Sequence, residues 1–106
     1  MKAVFWTTSA NRDLVEIVDY LAEESLEAAE AFVNRVDREL THLREFPQIG
    51  RVVPELERNN VTRFRELVLS PWRVVYREEK EQIFIVTVLD ARRNIEDLLL
   101  KRLLRE

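Results

Sequence analysis

Arginines recur through the second half of this chain in a pattern that could bind an anion. The run from Arg65 to Arg77 reads Arg-Glu-Leu-Val-Leu-Ser-Pro-Trp-Arg-Val-Val-Tyr-Arg, and Arg92 and Arg93 follow the next apolar stretch. Guanidinium groups bind phosphates and carboxylates through paired hydrogen bonds. The pattern therefore predicts either a surface that binds a polyanion or acidic peptide, or arginines that are neutralised by nearby carboxylates.

Strand alternation gives these arginines a common placement. Arg73 and Arg77 should point to one face of a strand, and Trp72, Val74 and Tyr76 to the other. The predicted target-binding site lies around one end of the sheet. It consists of Arg65, Arg73, Arg77, Arg92 and Arg93, with Arg51 at its rim. In the alternative interpretation the same arginines form ion pairs with Glu66, Glu78 and Asp90.

The charge balance narrows the choice of partner. Residues 1–50 carry 5 Lys/Arg and 10 Asp/Glu, a balance of −5, whereas residues 51–106 carry 12 and 10, a balance of +2. The net charge of −3 argues against indiscriminate nucleic-acid binding, which requires many phosphate contacts. A polyanion is therefore expected to contact the second half.

Residues for nucleophilic or metal-assisted chemistry are scarce. The chain has no cysteine, one glycine and one histidine, His42, which falls in a predicted helix and reads as a surface residue. No carboxylate or histidine grouping has metal-ligand spacing, and a glycine-rich phosphate loop cannot form. The sequence predicts no cofactor and no metal, and it leaves the catalytic residues unknown.

The helices and strands that position these residues can be predicted from the periodicity of the apolar residues. Helices are predicted after the caps Ser9 and Ser25, and Pro47 ends the second helix. The strands are predicted at Lys2 to Thr7, Thr62 to Leu69, Trp72 to Glu78 and Gln82 to Asp90. The 106 residues suit one domain, and no apolar run is long enough for a signal peptide or a bilayer span, so a cytoplasmic protein is expected.

The last predicted helix, from Ile95 to about Arg105, is apolar around much of its circumference. Its leucines cover roughly 240°, more than one packing face needs. Either the helix is buried deeply against its own sheet, or it is shared with a partner chain. The second interpretation is favoured, and it makes Ile95, Leu99 and Leu103 the predicted contacts for that partner.

The element order and local signals together resemble the RelE/ParE superfamily of toxins from type II toxin–antitoxin systems. The signals span most of the chain and are Asp13-Leu14 with Ile17 and Tyr20, Pro47-Gln-Ile-Gly-Arg51, Arg65-Glu66-Leu67, Trp72-Arg-Val-Val-Tyr-Arg77 and Asp90-Ala-Arg-Arg93. The resemblance implies a single α+β toxin domain over residues 1–106. Its expected order is β-α-α-β-β-β-α, with an N-terminal helical hairpin on one face of an antiparallel sheet and a C-terminal helix.

Departures from the RelE branch favour the ParE branch. Arg73 and Arg92 match RelE arginines, but Phe64 and Glu66 stand where RelE has strand lysines, and Asp90 stands where related nucleases have a late histidine. The resemblance thus implies a ParE-like toxin that inhibits DNA gyrase and is neutralised by a cognate ParD/RelB-like antitoxin, in a plasmid-stabilisation type of system. The alternatives are a RelE-like ribosome-dependent mRNA endoribonuclease, which would make it an enzyme, and a non-enzymatic adaptor domain.

Overall fold

The computed structural model describes residues 1–92 and 95–103, which form a mixed α+β fold. A five-stranded sheet has the strand order β1-β5-β4-β3-β2. The elements in chain order are β1 (Ala3–Trp6), α1 (Thr8–Glu24), α2 (Leu26–Glu45), β2 (Arg51–Val52), α3 (Pro54–Glu57), β3 (Phe64–Leu69), β4 (Trp72–Glu79), β5 (Gln82–Asp90) and α4 (Ile95–Leu103). The predicted fold class is confirmed. None of the helices within the described ranges is long and apolar enough to cross a membrane.

The helical hairpin begins one residue after β1. Thr7 has extended backbone geometry, and its side chain accepts a hydrogen bond from the N–H of Ala10 at 3.1 Å. Ser9, the predicted cap, instead lies inside α1; that prediction was wrong because the strand already ends at Trp6. Ser25 caps α2 as predicted, since its hydroxyl accepts from the N–H of Ala28 at 3.1 Å.

One face of the sheet, here called the hairpin face, packs against α1 and α2. Val74 and Tyr76 of β4 are buried there with Val36 of α2. Trp72 makes an edge-to-face contact with Phe32 at a centroid distance of 5.9 Å. The predicted orientation of the three β4 residues is therefore confirmed.

The opposite face, here called the α4 face, is covered by the predicted helix α4 together with β2 and α3, which were not predicted. The short β2 and α3 bring Val53 and Leu56 over the sheet, where they pack with Leu99 and Leu103 of α4. Both leucines of α4 are at most 1% exposed. The expectation that they lack cover within one domain was wrong, because α3 fills the second side of the helix.

The first strand joins the sheet at its edge, as predicted, but it runs parallel to β5. The pairs run from Ala3 opposite Gln82 to Trp6 opposite Ile85. All other neighbouring strands are antiparallel, and a bulge interrupts the β4–β5 register at Val75/Tyr76. The bulge adds Val86 to β5 and directs it to the α4 face with Val75.

Candidate functional site

Arg73 lies at the centre of an ion-pair cluster on the α4 face. Its guanidinium donates to both oxygens of Glu66, with Nε–Oε1 and Nη2–Oε2 distances of 2.6 and 2.7 Å. It also donates to both oxygens of Glu55, at 2.7 and 2.8 Å. Arg51 adds a 2.7 Å bond from Nε to Glu66. We call these four residues the Arg73 cluster.

Burial makes the Arg73 cluster strongly coupled. The side chains of Arg73 and Glu66 are 6% and 0% exposed, so little solvent screens their attraction. The hydrogen bonds from Arg73 lower the pKa of Glu55 to about 2, against the opposing effect of desolvation. The hydrogen bonds that Arg73 donates to Glu55, and then those that it donates to Glu66, raise the pKa of Arg73. Both shifts favour the charged forms of Glu55 and Arg73, and their ion pair anchors α3 to the centre of the sheet.

The other predicted cations on the sheet also have partners. Arg65 donates to the carbonyl of Gly50 at 2.8 Å. Arg77 donates to Glu79 at 2.9 Å and stacks over the Phe84 ring at 4.8 Å. Lys2, rather than an arginine, pairs with Glu78 at 2.8 Å.

Strand register separates the predicted site residues. Arg73 lies opposite Leu89, near the end of β5, whereas Arg77 lies opposite Phe84, near its start. Four residues along a strand span roughly 13 Å. The described arginines therefore do not all lie around one end of the sheet, because Arg77 is distant from Arg73 and Arg92. Arg93 lies outside the described residues. Whether any of them binds a target stays a prediction.

A second polar cluster joins α1, β5 and α4. Asp13 accepts hydrogen bonds from the Thr87 hydroxyl at 2.9 Å and from the backbone N–H of Val88 at 3.1 Å. Arg102 donates to the other oxygen of Asp13 at 3.0 Å and to Thr87 at 3.1 Å. The strand β1 pairs only with residues 82–85 of β5, so it does not reach Val88. The side chain of Asp13 instead accepts the hydrogen bond from the Val88 N–H.

A cavity of about 500 Å³ opens above this second cluster, between α1, α4 and the end of β5. We call it the α1–α4 groove. Its apolar and aromatic lining includes Trp72, Leu89 and Tyr20, whose side chain is exposed. The charged residues of the lining are Asp13, Glu16, Asp90, Arg92 and Arg102.

Of the predicted target-binding arginines that the structure describes, Arg92 lines this groove. Its guanidinium binds Asp90 through two bonds, at 2.9 and 2.6 Å, yet the Arg92 side chain remains 70% exposed. This ion pair raises the pKa of Arg92. An exposed guanidinium can exchange an intramolecular carboxylate for one on a partner at small cost, since exposed ion pairs contribute little stability.

Arg102 and Leu98 are among the groove residues that were not predicted as site residues. Arg102 follows the apolar residues of α4 and was not singled out, although its position beside Asp13 makes it a groove residue. Leu98 is 37% exposed and lines the same groove, whereas Leu99, a predicted partner contact, is 1% exposed. The helical spacing that marked Leu99 and Leu103 as apolar could not indicate which side faces the sheet. The side chain of Ile95, the third predicted contact, lies outside the described residues.

The sequence is similar to those of known toxins. Residues 4–95 match the family model described as the ParE toxin of the type II toxin–antitoxin system parDE. The chain is 29% identical over 96 residues to Toxin ParE3 of Caulobacter vibrioides, covering 90% of this chain and 92% of that protein.

The fold also matches a solved structure. A chain from the chromosomal ParDE toxin–antitoxin system of P. aeruginosa superposes with a TM-score of 0.68 at 24% identity, covering 85% of this chain and 96% of that one. At this identity the match shows the shared fold alone. The family model, by contrast, covers most of the sequence. The chain therefore belongs to the ParE family of type II toxin–antitoxin toxins.

Proposed function

We propose that this ParE-type toxin inhibits DNA gyrase and that a cognate antitoxin neutralises it by direct binding. Gyrase inhibition is the activity that the ParE branch implies, and the proposal places the chain in the cytoplasm with its target. The main support for choosing gyrase inhibition over mRNA cleavage is that Arg73 is buried and fully occupied by ion pairs. That arginine corresponds to a RelE arginine, yet it is fully engaged by two carboxylates beneath α3.

The burial and ion pairing of Arg73 argue against mRNA cleavage. Attack by a ribose hydroxyl requires a base, an acid and an accessible cation for the phosphate. Arg73 is 5% exposed and Glu66, at the position of a RelE lysine, is 1% exposed. The single histidine, His42, lies on the exposed side of α2. A non-enzymatic mechanism, in which the toxin acts by binding, therefore suits the residues better.

The α1–α4 groove is the proposed contact surface. It combines an exposed guanidinium, Arg92, with exposed apolar surface at Tyr20 and Leu98. A partner carboxylate that displaced Asp90 would bind Arg92 bidentately, while an apolar side chain would fill the cavity. Arg51, a member of the Arg73 cluster, is a further predicted site residue with an exposed guanidinium, since 58% of its side chain is accessible.

We propose that the antitoxin covers α4 at the same groove, so that it blocks the target. Amphipathic partner helices bind such grooves through side chains three and four residues apart. The contact is expected at Leu98 and Arg92, since Leu99 and Leu103 are held in the toxin core and support the surface from beneath. Because the first half of the toxin sequence is acidic and would repel carboxylates, we expect the carboxylates of the antitoxin to face the arginines of the second half.

The test uses purified protein in two assays run in parallel, gyrase supercoiling and cleavage of ribosome-bound mRNA. Inhibition of supercoiling without mRNA cleavage is expected. Cleavage of mRNA with normal supercoiling would overturn the proposal in favour of a ribonuclease, and inactivity of a folded protein in both assays would favour an adaptor.

A charge reversal locates the surface. Arg92→Glu should abolish growth inhibition while the circular dichroism spectrum stays unchanged, because its side chain is exposed. Arg38→Glu is the matched control, since Arg38 is exposed on α2, away from the groove. Full toxicity of a folded Arg92→Glu variant would show that the contact lies elsewhere.

A further inference from the structure

The charged side chains that line the α1–α4 groove are not all paired with one another. Asp13 pairs with Arg102 at 2.9 Å, and Asp90 pairs with Arg92 at 2.6 Å. Glu16 lines the same groove, and within residues 1–92 and 95–103 its carboxylate makes no ion pair or hydrogen bond. The described lining of the groove therefore carries one net negative charge, which is located on Glu16.

Helical spacing places Glu16 in the middle of the groove wall that α1 forms. The lining residues of α1 recur at intervals of three and four and so share one face of the helix; they are Asp13, Glu16, Ile17 and Tyr20. Ile17 is buried, whereas Glu16 and Tyr20 are exposed. The Glu16 carboxylate is therefore accessible to any partner that enters the groove.

Arg92 lies near the Tyr20 end of this wall. Hydrogen bonds to Asp90 are the main cause of the raised pKa of Arg92, and the Tyr20 hydroxyl adds a smaller electrostatic contribution, so the two side chains are close. Glu16 precedes Tyr20 by four residues, which is roughly 6 Å along the helix axis. The free carboxylate and the exposed guanidinium thus lie about one helical turn apart along the groove.

A partner that fills the groove has to accommodate the Glu16 carboxylate. Covering a charged side chain removes it from water, which is unfavourable unless an opposite charge takes the place of the water. The family is that of a toxin–antitoxin system, so an antitoxin is the expected occupant. Charge complementarity then requires the antitoxin to bring a cation to Glu16.

We propose, on the basis of the function proposed above, that Glu16 determines antitoxin specificity by binding a lysine or arginine of the antitoxin. This cation lies about one helical turn from the antitoxin carboxylate that binds Arg92, so the groove takes a segment that carries both charges beside an apolar side chain. A segment with carboxylates alone would meet Glu16 with a like charge, which disfavours wrong partners. The cavity supplies the apolar contact, and Glu16 selects among the segments that can fill it.

The experiment measures the affinity of purified toxin variants for the cognate antitoxin, which is identified by its ability to restore growth when it is produced with the toxin. Glu16→Gln removes the charge and should weaken binding about fivefold, the upper range for an exposed ion pair. Glu16→Lys brings two cations together and should weaken binding about 100-fold. Isothermal titration calorimetry measures both changes.

Asp19→Lys is the matched control, because Asp19 is exposed on α1 but does not line the groove. It changes the net charge by the same amount as Glu16→Lys and introduces the same helix-forming residue. At physiological salt it should weaken binding less than about twofold, since separated surface charges are largely screened. Circular dichroism checks that all of the variants fold.

A charge exchange tests whether the contact is direct. Each lysine and arginine of the antitoxin is replaced by glutamate in turn, and each antitoxin variant is measured against the wild-type toxin and against Glu16→Lys. One antitoxin variant should bind Glu16→Lys about tenfold more tightly than it binds the wild-type toxin, because the exchanged charges attract each other. If no antitoxin variant shows this preference, Glu16 has no direct cationic partner and the proposal is wrong.

Unchanged affinity of a folded Glu16→Lys toxin would also overturn the proposal, and Arg92→Glu shows how much else fails with it. If Arg92→Glu weakens antitoxin binding, the antitoxin covers the groove and only the role of Glu16 is wrong. If neither substitution changes the affinity, the antitoxin binds elsewhere, and its proposed location is wrong as well. None of these measurements depends on which target the toxin inhibits.

Discussion

The hairpin face of the sheet is closed mainly by apolar side chains, whereas the α4 face carries the Arg73 cluster beside its apolar core. Tyr76 is the main polar exception on the hairpin face: its hydroxyl donates to the carbonyl of Pro47 at 2.8 Å and accepts from the N–H of Gly50 at 3.0 Å. Apolar contacts tolerate small shifts, but a buried ion cluster requires each charge to keep its partner. The α4 face should therefore be more sensitive to single substitutions and to pH.

The largest effect is expected from Arg73→Met. This variant leaves two carboxylates at a buried site without their main cation, which should destabilise the fold by about 3–5 kcal/mol. Urea unfolding measures the change. Adding Glu55→Gln and Glu66→Gln to Arg73→Met should recover part of the loss, because the uncompensated charges are removed. A loss below about 1 kcal/mol would show that the cluster is effectively solvated.

Two adjacent leucines of α4 lie in different environments: Leu99 is in the core, and Leu98 lines the groove. Leu99→Ala should destabilise the protein by about 2–5 kcal/mol, since it opens a cavity among buried side chains. Leu98→Ala is the matched control and should change stability by about 0.5 kcal/mol or less, since surface substitutions rarely do more. Thermal unfolding of both gives the comparison. Similar small losses would place Leu99 on an exposed partner surface.

The pH dependence of folding should reside on the α4 face. The pKa of Glu55 is lowered from 4.5 to about 2 in the fold, so its contribution is fully present above pH 4.5 and is lost as the pH falls towards 2. The shift corresponds to roughly 3 kcal/mol. Glu55→Gln should flatten the stability profile in that window, as followed by urea unfolding at several pH values. An unchanged slope would assign the acid sensitivity to other carboxylates.

The smallest effect is expected on the hairpin face. Tyr76→Phe keeps the ring but leaves the carbonyl of Pro47 and the N–H of Gly50 without this partner. The cost should be about 1–2 kcal/mol, the usual range for a lost buried hydrogen bond. Chemical denaturation of Tyr76→Phe beside Arg73→Met tests the order directly. A larger loss for Tyr76→Phe would reverse the comparison between the two faces.

Much of the fold could be predicted, because its elements have clear periodicity. The alternation in β4 identified its two faces, and Ser25 and Pro47 gave the limits of α2 to within about two residues. The β3 strand begins at Phe64 rather than Thr62, and β4 extends to Glu79, which are ordinary boundary shifts. These patterns are local, so they are readable from neighbouring residues.

The candidate site was harder to predict, because its partners come from distant segments. Glu55 reaches Arg73 only through α3, a four-residue helix without a periodic signal. Asp13 and Arg102 are 89 residues apart in the chain. The ion-pair alternative named Glu66 and Asp90 correctly as arginine partners, but Glu78 binds Lys2 instead. The residue types at the site could be predicted from the sequence, whereas tertiary packing decides which of them are exposed.

The parallel pairing of β1 with β5 has a consequence for synthesis on the ribosome. In chain order the first strand of this sheet pairs with its fifth, since Ala3–Trp6 pairs with residues 82–85. During translation β1 therefore has no strand partner until most of the chain has emerged, although the helices of the hairpin can form earlier from local contacts. The complete sheet can form only after β5 has been synthesised, and the groove beside β5 only after α4 has followed. An incomplete chain therefore has no assembled contact surface.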